Sequence, residues 1–219
     1  MKTAMSRPDE TERLQDLGRA SMQIVHDLKN QINGLKLYAT FLRRRIEKSD
    51  RPSDEQETVE KLINGLNRTA EDLTLIVRYG QPIELKKQAG VDVNKLLNQA
   101  CGNPSEIGGR IAVESNSGAI QGNFDHFKLG DAFKWLCAGA NKHKQNDDGA
   151  GEVTVAAKPL EAGQVTIEWS GLRQLDHDPF RSFAGSEEIK LALAARIIEA
   201  HGGTAKFIDR KFAVELPLN

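Results

Sequence analysis

Hydrophobic residues in the first 80 positions recur in steps of three and four, then near residue 90 give way to shorter runs, several of which alternate. Val25, Leu28, Ile32, Leu35, Ala39, Leu42 and Ile46 form one stripe on a helix. Ser6-Arg7-Pro8-Asp9 marks its start with a Ser cap, a first-turn Pro and a carboxylate, and the pattern runs to about Lys48. Ser49-Asp50-Arg51-Pro52 breaks it. Ser53-Asp54-Glu55-Gln56 is a capping box that opens a second helix to about Arg78, with the stripe Val59, Leu62, Ile63, Leu66, Ala70, Leu73 and Val77. Tyr79-Gly80-Gln81-Pro82 ends it. A hairpin with two apolar stripes cannot enclose a core, whereas two hairpins can do so as a four-helix bundle. Dimerisation is therefore expected on packing grounds alone.

Beyond residue 90 the pattern predicts a short helix over Asp92–Gln99, a strand over Arg110–Glu114 and a helix over Phe124–Lys142. Phe127, Leu129, Phe133, Leu136 and Ala140 are available for the inner face of that helix. Val153–Val155 and Val165–Ile167 alternate as strands, with Glu161-Ala162-Gly163 available for the turn between them. Glu187–Ala200 reads as a helix closed by Gly202-Gly203, and Ala205–Ile208 and Phe212–Leu216 as a terminal hairpin. The expected class is α+β. A helical hairpin occupies residues 1–85, and an α/β sandwich with helices on one face of its sheet occupies residues 90–219.

Composition narrows the function classes. The net charge of −1 over 219 residues, with both signs interspersed, argues against a nucleic-acid binder. Arg43-Arg44-Arg45 reads as a solvated helix end that complements the dipole. Cys101 and Cys137 provide neither a disulfide framework nor a metal spacing, so a cytoplasmic setting is expected. The N-terminus lacks a secretory pattern, and no window approaches the ~20 apolar residues of a membrane span. His126, His143 and His177 are isolated, without metal-ligand spacing.

The candidate chemistry lies in His26-Asp27-Leu28-Lys29-Asn30. His26 is adjacent to Val25 and so is rotated by about 100° from it, off the apolar stripe. Asp27 can orient the imidazole and make the other ring nitrogen more nucleophilic, while Asn30 follows one turn later on the same face. The pentapeptide reads equally well as an ordinary exposed histidine on a charged helix. Its context is more specific. Leu17-Gly18-Arg19-Ala20 and Val25-His26-Asp27-Leu28-Lys29-Asn30-Gln31-Ile32, followed by a turn and a second helix, resemble the phosphoacceptor box of sensor histidine kinases. The resemblance implies that His26 is phosphorylated, that Asp27 is its acid/base neighbour and that Asn30 supports dephosphorylation of a receiver. Gln31 replaces the family's usual proline, which predicts a straighter helix.

The second half resembles the ATP-binding domain of the same kinases. Asp125, Leu129, Ala132, Phe133, Leu136 and Ala140 match its first long helix, Phe180 its pre-lid aromatic, and Ile197–Gly203 its last helix end. Trp135 and Gly139 stand where the family carries two asparagines, the second a magnesium ligand. Trp169 stands where an aspartate reads adenine. Ser186-Glu187-Glu188-Ile189-Lys190-Leu191 replaces a glycine-rich phosphate loop, and little chain between Phe183 and Glu187 remains for a lid. Any one change reads as ordinary divergence. Together they imply a degenerate pocket at Trp135, Gly139, Trp169, Glu187 and Glu188, with no cofactor and no metal held by this chain.

The expected function is a dimeric histidine phosphotransferase of a two-component phosphorelay, in which His26 exchanges phosphoryl groups with receiver aspartates without autophosphorylation from ATP. Magnesium is then expected in the partner receiver, and an upstream hybrid kinase is a further candidate partner. Docking is expected on Lys29, Asn33, Lys36 and Leu37, below His26. The alternatives are a response-regulator phosphatase using Asn30 and a non-catalytic pseudokinase that binds a kinase or regulator.

Overall fold

Sustained three-to-four spacing yields two long helices. In the computed structural model, which describes residues 7–47, 53–114, 118–145, 152–160 and 163–219, α1 spans Arg7–Glu47 and α2 spans Ser53–Gly80. Ser6, the Ser49-Asp50-Arg51-Pro52 break and turn residues Glu161 and Ala162 lie outside the described residues. α1 runs uninterrupted through Gln31. The chain divides into two units, Met1–Gln81 and Pro82–Asn219.

In the first unit α1 and α2 pack along their stripes. Ala39, Ile46, Val59 and Ile63 are buried together, with Leu66 against them. The thioether of Met22 packs closely on Gly80. Part of the seam is uncovered: Leu28, Leu35, Leu42 and Leu62 remain 44–52% exposed. One hairpin therefore leaves much of its apolar surface in water, which costs roughly 25 cal/mol for each Å².

The second unit is built from β1 (Gln88–Asp92), α3 (Val93–Cys101), α4 (Pro104–Ile107), β2 (Ile111–Glu114), β3 (Gln121–Phe124) and α5 (His126–Lys142). It continues with β4 (Val153–Leu160), β5 (Gln164–Ser170), a 3₁₀ turn at Pro179–Arg181, α6 (Ser186–Ala200), β6 (Thr204–Ile208) and β7 (Lys211–Pro217). The main sheet has the order β2-β4-β5-β7-β6, parallel between β2 and β4 and antiparallel elsewhere, while β1 and β3 form a separate antiparallel pair. Alternation sorts the sheet into two faces. Val153, Val155, Val165, Ile167, Trp169, Phe212, Val214 and Leu216 are buried, in one cluster with Leu97 of α3, Leu129, Phe133 and Leu136 of α5, and Leu191 and Ile198 of α6. This is the expected α+β architecture.

One inner-face assignment is corrected. Phe127 is 74% exposed, with its ring against His126, because two residues before Leu129 is about 200° away around the helix. β1 and β3 carry no sequence signal, whereas α4 opens on Asn103-Pro104 and closes on Gly108, a short helix signature the sequence reading passed over. Gln88-Ala-Gly-Val-Asp and Gln121-Gly-Asn-Phe are short and polar, and they become strands by pairing with each other.

His201 joins the end of α6 to the start of α5. Its Nε2 accepts from the Asp125 backbone N–H at 3.0 Å, and its Nδ1 lies 2.7 Å from the Ile197 carbonyl, so Nδ1 carries the proton. The Asp125 carboxylate caps α5 by accepting from the Lys128 amide at 3.0 Å, and also accepts from the Lys86 amide at 2.8 Å. Gly202 follows with φ +86°, the left-handed conformation a helix end favours. His143, at the end of α5, is buried against Phe212, and neither ring nitrogen has a hydrogen-bond partner among the described residues.

Burial holds both histidines below the ordinary value of 6.5; at His143, Lys142 and Arg173 add to the effect and Glu188 opposes it. The unfolded chain therefore binds protons that the folded chain does not. Stability is retained above about pH 6.5 and falls as pH drops below it, levelling off beneath the folded-state values. His143→Phe removes two unmet polar atoms, and its expected effect is a gain of ~1–3 kcal/mol, larger at pH 5.5 than at pH 8. Urea unfolding at both values checks this, and an unchanged midpoint at pH 5.5 would count against it.

Candidate functional site

His26 projects from the middle of α1 with its side chain 59% exposed. Its Nδ1 lies 3.6 Å from Asp27 Oδ1 and 3.4 Å from the Asn30 carboxamide nitrogen. The same Asp27 oxygen accepts a 3.0 Å hydrogen bond from Gln23 Nε2. Nε2 of His26 has no partner among the described residues. A proton on Nδ1 faces the Asp27 carboxylate, which leaves the Nε2 lone pair directed to solvent. Turning the Asn30 carboxamide brings its oxygen to the same N–H. The arrangement supplies an accessible nitrogen nucleophile with a carboxylate behind it.

Helical geometry groups the neighbours. Asn30, Asn33 and Leu37 fall within about 40° of His26 around the axis, and Lys29 and Lys36 flank them on one side. Asn30, Asn33, Lys36 and Leu37 are exposed, and Lys29 is half-buried. Sequence reading passed over Phe41, which lies off the seam stripe at about 60° from His26 and some 22 Å along the axis. Leu37 and Phe41 are 54% and 55% exposed, on the side of α1 away from the seam. The missed signal was an aromatic residue out of phase with the stripe. Gln23 was also passed over, although its spacing of four from Asp27 is the signal for a helix-face pair.

In the second unit, Trp169 is fully buried, its ring 6.0 Å from that of Phe133 and its Nε1 donating to Cys137 Sγ at 3.4 Å. Trp135 is partly buried against the same core. Gly139 faces Leu191: a Cβ at Gly139 would stand 2.6 Å from one Leu191 methyl and 3.0 Å from the other. Glu187 pairs with Lys190 at 2.6 Å. Glu188 turns back onto its own loop, accepting from the Ser182 hydroxyl and, at 3.2 Å, from the Ala184 amide, with His177 Nε2 at 3.5 Å. The Ser182 hydroxyl is the main influence holding the Glu188 carboxyl below its ordinary range. Burial opposes it, while the Ala184 amide and His177 assist. No group of three or more His, Cys, Asp or Glu side chains placed to hold a metal occurs among the described residues.

Comparison with known proteins places this geometry. No family model matches the chain. The sensor histidine kinase ZraS of Escherichia coli (strain K12) is 24% identical over 229 residues, covering 95% of this chain and 47% of ZraS. Full-length ShkA in complex with AMPPNP superposes with a TM-score of 0.65 at 22% identity, over 89% of this chain and 44% of ShkA. The histidine kinase ThkA, in complex with the response regulator protein TrrA, superposes with a TM-score of 0.60 at 18% identity, over 95% of this chain and 64% of ThkA.

The chain carries the histidine-kinase fold.

It spans about half the length of the curated relative it matches. Within this fold, Glu188 belongs to the stretch that replaces the glycine-rich loop. Its carboxylate is the third residue of α6 and reaches back to close the preceding turn, much as a capping-box carboxylate does. At Gly139, the missing side chain is matched by Leu191, which packs into the space. Gly139→Asn would put a polar group against a buried leucine. The expected cost is about 1–3 kcal/mol with no gain in ATP-dependent labelling. Thermal unfolding together with incubation in labelled ATP checks both parts.

Proposed function

We propose that the protein is a two-component phosphorelay component in which His26 Nε2 accepts a phosphoryl group from a receiver aspartyl phosphate and returns it to another receiver aspartate. In the first step the N–P bond forms as the acyl phosphate P–O bond breaks, releasing the receiver carboxylate. Asp27 holds the Nδ1 proton and balances the positive charge that develops on the ring. Magnesium belongs to the receiver in this scheme. The observation that carries the reading is the free Nε2 of His26 on an exposed face with Asp27 behind it.

ATP does not enter this scheme. Gly139 offers no oxygen ligand and Leu191 occupies the adjoining space, while Trp169 is buried and lacks an acceptor for an adenine amino group. Those residues do not fit a magnesium nucleotide. The exposed leucines along the α1–α2 seam support a homodimer, because a second hairpin would cover them as a four-helix bundle. Receiver docking is assigned to Asn33, Leu37 and Phe41, with Lys29 and Lys36 at the edge, because this surface is apolar where the bundle seam does not require it. A cytoplasmic setting accords with this reading. Among the described residues, no helix is long and apolar enough to cross a membrane.

A second reading, a receiver phosphatase, rests on Asn30 being one turn from His26 with its carboxamide on the imidazole. The protein is incubated with labelled ATP and, separately, with phosphorylated receivers. Acid-labile label is expected from receivers only, and its loss in His26→Ala is required. Label from ATP would overturn the proposal. Receiver dephosphorylation that survives His26→Ala but fails in Asn30→Ala would establish the phosphatase instead. Leu37→Asp and Phe41→Asp are expected to slow transfer by about tenfold or more, equivalent to ~1.4 kcal/mol or above, with the helical content unchanged by circular dichroism.

A further inference from the structure

The two cysteines of the chain are 36 residues apart in sequence, and the fold puts their sulfur atoms 2.8 Å from each other. Cys101 is the last residue of α3 and Cys137 lies within α5. They are 7% and 0% exposed, in the same core cluster. Closing this contact to a covalent S–S distance of about 2.05 Å takes a movement of less than ~1 Å. Cys137 also receives the Trp169 indole N–H at 3.4 Å. Neither thiol takes part in the phosphoryl chemistry proposed for His26.

The two thiols differ in a way that orders a reaction. Cys101 is followed at once by the helix end, where the Gly102 amide bonds the Gln99 carbonyl at 3.4 Å, and helix ends open more readily than helix interiors. The contact with Cys137 holds the Cys101 thiol below its ordinary range despite burial. That same pairing, together with burial, pushes Cys137 up. Its place at a helix end makes Cys101 the thiol positioned to react first, with Cys137, inside α5, as the resolving thiol.

We propose that Cys101 and Cys137 form a reversible dithiol–disulfide pair that is oxidised by small-molecule disulfides and ties the end of α3 to α5. Cys101 loses its proton and attacks one sulfur of the small disulfide, forming a mixed disulfide and releasing one small thiolate, which takes up that proton. Cys137 then loses its proton and attacks the Cys101 sulfur, and the second small thiolate leaves and is protonated. Two protein thiols are oxidised to one protein disulfide, and one small disulfide is reduced to two thiols. The bond closes a loop that includes α4, β2 and β3, restricts the unfolded chain and sets a quencher beside Trp169.

The whole chain is equilibrated in glutathione buffers from reducing to oxidising, acid-quenched, denatured and alkylated, then weighed intact. The expected result is that both thiols disappear together, with a mass lower by two hydrogens, and return with dithiothreitol. Tryptophan emission should fall in step, and the thermal midpoint should rise by ~5 °C or more. Cys101→Ala should show none of these changes and keep Cys137 alkylatable. The proposal is overturned if both thiols stay free in the most oxidising buffer. It is equally overturned by a stable glutathione adduct on one cysteine with the other free, or by a bond joining two copies of the chain. If Cys101→Ala does not fold, the mass of the unsubstituted chain decides the question.

Discussion

The contact of Leu191 with Gly139 determines much of what the second unit can be. α5 and α6 approach until a leucine side chain fills the space where any other residue at position 139 would place its Cβ. Beneath them, Trp169, Phe133 and Cys137 complete the layer between helices and sheet. Interiors are packed to crystal-like density, so a space filled by apolar atoms cannot also hold a polar ligand donor. Glycine admits the leucine, tryptophan lies in the core, and Glu188 pins its own loop.

The first unit has the opposite character. The α1–α2 seam buries Ala39, Ile46, Val59 and Ile63 with Leu66 against them, and leaves Leu28, Leu35, Leu42 and Leu62 largely exposed. The other side of α1 is mostly polar, yet it carries Leu37 and Phe41 in line with His26. Apolar residues on both sides of one helix require two different coverings. A long helix separates the two surfaces by about half a turn around its axis, which lets a chemical group remain exposed beside a surface that must be covered.

Several features of this protein were legible in its residues. The two stripes and capping signals placed α1 and α2, and the alternation of Val153–Val155 and Val165–Ile167 placed the central strands. His26 was identified as outward-facing because its neighbour Val25 marks the edge of the stripe. Gly139 and Trp169 could be recognised as lacking an oxygen ligand and a purine acceptor, because glycine has no ligand atom and tryptophan no acceptor. Those properties belong to the residues and need no neighbours.

Other features depended on neighbours distant in sequence. The β1–β3 pair exists because two weak segments meet, and neither has the pattern to announce itself. Phe127 is a different case, since its offset of two from Leu129 already puts it on the outer face of α5. The return of Glu188 to Ser182, the unpartnered burial of His143 and the meeting of Cys101 with Cys137 are products of packing. Periodicity along a chain determines which face of an element is apolar, because it follows from the geometry of a single helix or strand. Only the tertiary structure decides what each face meets, because that depends on how separate elements fill the same volume.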